Sequence, residues 1–238
     1  AQPQDGTECG VEEVKKGVKY DMSEVLDRQT QLLRRYLRNM QIVKWRIKAI
    51  KDIRTNKCHT TYMSTNIEFC ALQIRKILEL IALSALISDV DVYREKLNKI
   101  EDMWNARLIL QDIERIHPDF YPHPIDIPHD DKFRWDDKSL PYLTKEQLII
   151  IYKKCGKILH EDSAFKDDKN MNSTYQEADK EINTWVNLIM NLLNTHVVHL
   201  YNQKDLFFIS MGTDEQFLSG NIFTAISEEE IQNEQNEI

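Results

Sequence analysis

Two separated stretches of this chain hold the side chains most able to do chemistry together. One is Leu72-Gln-Ile-Arg75-Lys-Ile-Leu-Glu79, where a guanidinium and a carboxylate stand four residues apart among aliphatic neighbours. The other is Tyr152-Lys-Lys-Cys-Gly-Lys-Ile-Leu-His160, which ends on an imidazole followed by Glu161 and Asp162. An arginine and a glutamate on a mostly apolar helix are costly to bury unless they pair or meet a polar group from another helix. His160 is a candidate for that group: if the two helices pack, Arg75, Glu79 and His160 share one polar pocket in an apolar bundle. The alternative is structural, a histidine closing a helix C-terminus through its favourable interaction with the helix dipole.

The second chemical signal is charge. From Arg28 to Lys57 there are ten basic side chains against Asp52 alone, a local balance of +9 in a chain whose net charge is -8. Arg34, Arg35, Arg38, Lys44, Lys48 and Lys51 are the candidates for contacts to nucleic-acid phosphates, which weaken steeply with salt. The same helix could instead lie on an acidic surface of its own domain, on Glu228 to Glu230, or on a second protomer.

Metal chemistry is not expected. His117, His123 and His129, with Asp119, Asp126, Asp130 and Asp131, fall in a proline-rich stretch, and metal ligands need rigid elements and oriented partners. His196 and His199 would share a face only near the end of a helix, where histidine is ordinary. Cys58 and His59 are adjacent and face different ways on any regular element, and no G-x-S-x-G elbow occurs. No cofactor is implied.

These side chains must be positioned by helices. Only six glycines and six prolines occur among 238 residues, which disfavours sandwiches, barrels and glycine-rich phosphate loops. The four cysteines form no C-x-x-C pair, so zinc ribbons and disulfide frameworks are not expected. No apolar run is long enough to cross a bilayer, the first ten residues carry no signal-peptide pattern, and a cytoplasmic location is expected. Leu26, Leu33, Tyr36, Met40, Val43, Ile47 and Ile50 recur at helical spacing, predicting one long helix over 23–54. Thr65 with Glu68 reads as a capping box, opening a central buried helix from Thr65 to Ser88. Short helices are predicted over 91–100 and 104–116. Five prolines between Pro118 and Pro141 exclude helix there. Thr144 caps a helix ending near His160, and another spans 175–201. Leu206 to Met211 and Ile222 to Ile226 form a small hairpin.

The Leu72 to Glu79 stretch and the late helix ending Leu159-His160 together resemble the HEPN superfamily of small helical domains, many of them RNases or dimeric partners of nucleotidyltransferases in prokaryotic defence and toxin systems. The resemblance covers roughly 65–201. In active members an arginine five residues before the histidine stabilises phosphate charge, and the histidine handles the 2′-hydroxyl proton or the leaving group without metal. Here that position is Cys155, so a lysine, Lys154 or Lys157, would have to supply the cation. The strings FCALQIRKILELIA, WNARLILQDIERIHPDFYP and LTKEQL…YKKCGKILH are also similar to a widespread prokaryotic helical family of unassigned activity.

The expected architecture is mainly α: a flexible tail over 1–21, a helical bundle over 22–203 with a proline-rich loop at 117–143, a β-hairpin over 204–226 and an acidic tail over 227–238. The expected function is that of a HEPN-like binding or dimerisation module, with a homodimer or protein partner, RNA as a candidate ligand and no membrane. The rival is a metal-independent endoribonuclease using His160 with Arg75 and Glu79.

Overall fold

A computed structural model describes residues 22–87, 106–127, 135–160, 168–201, 204–212 and 217–224. The predicted tails and the predicted helix over 91–100 lie outside the described residues. The chain is mostly helical, with a small antiparallel sheet. Its elements are α1 (Met22–Arg54), α2 (Met63–Ile87), α3 (Ala106–Ile116), β1 (His123–Asp126), β2 (Asp136–Asp137), α4 (Lys145–Leu159), α5 (Asp168–Leu193), β3 (Thr195–His199), β4 (Asp205–Ser210) and β5 (Ser219–Thr224).

α2 lies at the centre because little of its circumference is polar. Ile67, Cys70, Ala71, Ile74, Ile77, Leu78, Ile81, Ala82, Ala85 and Leu86 are all buried, and α1, α3, α4 and α5 each pack against it. A large aliphatic side chain contributes about 1.5–3 kcal/mol when fully buried, so covering such a helix organises the fold. α2 starts at Met63, ahead of the expected cap. Thr65 instead lies in its first turn and donates its hydroxyl to the Tyr62 carbonyl at 2.8 Å.

α1 buries Leu33, Tyr36, Met40, Val43, Ile47 and Ile50, whereas Leu26 at the start of the predicted stripe is exposed. This inner face covers both α2 and the sheet. Asn39 donates to Ser84 Oγ of α2 at 3.1 Å. On the sheet side a Cβ at Gly220 of β5 would stand 3.0 Å from methyl carbons of Leu33 and Leu37. Glycine there permits the close approach of α1 to the sheet.

α4 begins as expected. Thr144 accepts from the Gln147 amide, and the Gln147 side chain accepts from the Thr144 amide, so each residue satisfies the other's backbone donor.

The largest departure from the sequence reading is the sheet. The hairpin β4–β5 forms, with Asp205 opposite Thr224 and Ser210 opposite Ser219, but it belongs to a five-stranded sheet of order β2-β1-β3-β4-β5. β1 and β2 come from the proline-rich region expected to be loop. β3 comes from residues expected to continue the helix over 175–201, so the bundle ends earlier than 203. The run Thr195 to His199 supplies the β-branched Thr195, Val197 and Val198, and β4 and β1 supply backbone partners on either side. His196 and His199 therefore sit on a strand, where an odd separation sends them to opposite faces.

His196 points into the core. Its Nδ1 lies 2.9 Å from the Leu193 carbonyl, which can only accept, so Nδ1 carries the proton and Nε2 is left to accept from the buried Tyr36 hydroxyl at 2.8 Å. Burial drives the imidazole pKa down to about 4, only partly opposed by the Leu193 hydrogen bond, and burial also raises the Tyr36 phenol. An unfolded chain takes up this proton near its ordinary value of 6.5, while the folded chain resists until about pH 4. Stability is therefore expected to fall as pH drops through that window, by about 3 kcal/mol. Urea midpoints measured from pH 7 to pH 4 should show this decline. The slope should flatten in His196→Leu even though that variant starts from a different stability.

Candidate functional site

The Arg75 and Glu79 pair forms, and the group that meets it from the facing helix is Tyr152. Arg75 Nε lies 3.4 Å from Glu79 Oε1. Arg75 Nη2 donates to the Tyr152 hydroxyl at 2.9 Å, and that hydroxyl donates to Glu79 Oε1 at 3.2 Å. The guanidinium also stands 4.3 Å from the centroid of the Tyr152 ring, within cation–π range. Lys76 adds a bond to the other Glu79 oxygen at 3.2 Å. Burial raises the Tyr152 phenol above its ordinary value, with Arg75 opposing and Glu79 adding to the shift. The cation, the carboxylate and the hydroxyl are bound to one another at the α2–α4 contact, with Arg75 and Glu79 half-buried.

Gly156 is part of this arrangement. A glycine inside a helix costs roughly 0.5–1 kcal/mol relative to alanine, and here a Cβ would stand 3.0 Å from Arg75 Nη1. The missing side chain leaves room for the guanidinium to lie against α4. Tyr152, Gly156 and His160 follow at successive four-residue steps and share one stripe of the helix.

His160 stands one turn past Gly156, about 6 Å further along the axis. It is exposed and closes α4, its amide donating to the Gly156 carbonyl at 3.2 Å. Its imidazole has no hydrogen bond or ion pair among the described residues. Cys155, at the position where the resembled family carries an arginine, is fully buried, and burial pushes its thiol up to about 12 despite Arg75 nearby. Lys154 faces the other way, bonding both oxygens of Glu181 on α5 at 2.6 and 2.7 Å. Lys157 is exposed.

The basic helix resolves into two sets. Arg34, Arg35, Arg38 and Lys48 are exposed, while Lys44 and Lys51 are half-buried and line a small cleft with Ile47, Met190, Asn194 and Met211. Lys44 donates to the Met211 carbonyl at 3.0 Å. Of the remaining cations, Arg46 bonds Gln73 of α2 at 2.6 Å, Arg54 crosses to Asp179 of α5, and Lys48 and Lys57 both reach Asp52, at 3.4 and 3.8 Å. Arg34, Arg35 and Arg38 make no ion pair or hydrogen bond through their side chains among the described residues.

A residue that the sequence reading passed over completes this surface. Trp45 is 62 % exposed, and at 3.6 residues per turn it stands opposite Tyr36 and Ile47 and between the directions of Arg34 and Arg38. The signal was available in its phase, half a turn away from the apolar stripe. No acidic residue occurs between Asp27 and Asp52.

Among the described residues no three metal-ligating side chains form a group. His123 bonds Asp137 at 2.8 Å, His199 lies 3.9 Å from Asp119, and His117 is buried beside the Tyr201 ring. No described helix is long and apolar enough to cross a membrane. Comparisons with protein-family models, curated proteins and solved structures find no match for this chain.

The cluster predicts its own thermodynamics. Tyr152→Phe keeps the ring and removes one hydroxyl, and is expected to cost about 1 kcal/mol. Gly156→Leu places a side chain where the guanidinium lies and should lower the melting temperature by more than Tyr152→Phe does. Thermal unfolding of the two variants beside wild type gives the comparison.

Proposed function

We propose that this chain is a helical binding module that holds RNA on the outward face of α1, without cutting it. The observation that carries the reading is the exposed trio Arg34, Arg35 and Arg38, whose guanidinium groups have no acidic partner among the described residues. Arginines without such a partner, on a stretch of helix with no acidic residue between Asp27 and Asp52, offer bidentate donors that match phosphate oxygens. Binding through them releases counterions, so affinity comes mainly from the backbone and falls with salt.

Two features favour holding over cleavage. Arg75 and Glu79 are bound to each other and to Tyr152, and the position five residues before His160 is a buried thiol instead of a cation. The cleavage alternative combines His160 with Arg75 and Glu79, and it requires that cluster to open toward a substrate. Dimerisation through α1 is disfavoured on charge, since a two-fold contact there sets one basic face against another.

The test is retention of mixed RNA by the purified protein over a range of salt concentrations. Wild type is expected to bind at low salt and to lose affinity as salt rises. Replacing Arg34, Arg35 and Arg38 together by alanine should weaken binding across all sequences and flatten the log–log salt slope by about 2, at roughly 0.7 per phosphate contact on a single strand. RNA cleavage that His160→Ala abolishes would replace this reading with the ribonuclease. An unchanged salt slope in the triple variant would remove α1 as the binding face.

A further inference from the structure

Trp45 stands on the same face as the unengaged arginines, and nothing in the cluster or the core uses it. Two helical turns, about 10 Å, separate it from Arg38, and Lys48 is its neighbour three residues on. A large indole left 62 % exposed gives up hydrophobic burial. Gln41 and Ile42 lie between it and Arg38, so its N-terminal flank carries no acid, while on the other side Lys48 pairs with Asp52. Among the described residues the indole makes no ring contact or hydrogen bond.

We infer that Trp45 is a stacking platform for an unpaired base, so that α1 takes single-stranded RNA in preference to duplex. This rests on the RNA-binding reading above and adds the form of the nucleic acid. The argument is geometric. A flat aromatic surface raised beside phosphate-binding cations can receive the face of a base only where that face is free, as in a single strand, loop or end. In a duplex the base faces are stacked inside, and only phosphates and groove edges reach a helix lying outside. The Arg34, Arg35 and Arg38 contacts serve both forms, whereas the indole serves one. A second copy of this chain is the less suitable occupant, because it would bring its own basic face to the same place.

Fluorescence anisotropy with a labelled, unstructured RNA oligonucleotide and with the corresponding blunt duplex separates these contributions. Trp45→Ala is expected to weaken single-strand binding on the order of tenfold and to leave duplex binding unchanged, since stacking on one aromatic contributes on that scale. Trp45→Phe should restore most of the loss, and single-strand binding should quench tryptophan emission in wild type but much less in Trp45→Phe. Because the residue is exposed, circular dichroism of both variants should match wild type. Equal weakening of both RNAs, or of neither, by Trp45→Ala overturns the stacking role. If that happens while the triple arginine variant still loses both RNAs, the binding face stands and only the preference for single strands fails. If wild type binds neither RNA at low salt, the whole assignment of α1 to RNA fails.

Discussion

α2 has to be surrounded. Its apolar residues occupy most of the helical circumference, and apart from a stripe through Leu72, Lys76 and Leu83 that stays exposed, leaving a side uncovered would expose several large aliphatic side chains at once. Four of the described helices pack against it, and Arg75 and Glu79 of its narrow polar stripe meet α4 at Tyr152. The ion pair is stable there because α4 brings a hydroxyl and an aromatic face in Tyr152 and an absent side chain in Gly156. Burying a charge is expensive without hydrogen bonds to its partner, and this contact supplies them from both helices. The cluster is therefore explained by the demands of the central helix, with no ligand required.

α1 meets a different demand. Its inner face closes α2 on one side and the sheet on the other, with Tyr36 reaching the buried His196 and Leu33 and Leu37 lying on Gly220. A helix anchored so extensively along one face holds the opposite face rigid. The outward arginines and Trp45 thus stand on a fixed support, which in the proposed RNA-binding role would lower the entropic cost of engaging an extended strand. Most of the flanking cations are committed within the protein: Arg54 to Asp179, Arg46 to Gln73, Lys48 to Asp52 and Lys44 to the Met211 carbonyl. Charge density on the segment as a whole is therefore a poor guide to which cations are available, and the direction of each side chain is the better one.

Helix periodicity made α1, α2 and α4 readable in advance, and the Thr144 capping box marked the start of α4 to the residue. The Arg75 and Glu79 pairing was also legible, because four residues on a helix place two side chains side by side. The third member was not: Tyr152 and His160 lie on the same stripe of α4, and spacing alone cannot say which turn of that stripe comes level with Arg75. The axial offset between two packed helices depends on how their side chains interlock. That offset places Tyr152 and Gly156 against the guanidinium and His160 a turn beyond.

Residue order by itself marked α1, α2 and α4 as helices, α2 as the central one, and the segment where the cations are concentrated, since each of these follows from periodicity or composition within a short window. Tertiary structure alone decided that Thr195 to His199 leave the helix to become a strand and that the proline-rich region contributes two more. A strand's hydrogen-bond partners lie on distant parts of the chain. Its pairing is settled by contacts far apart in sequence, which no local pattern encodes.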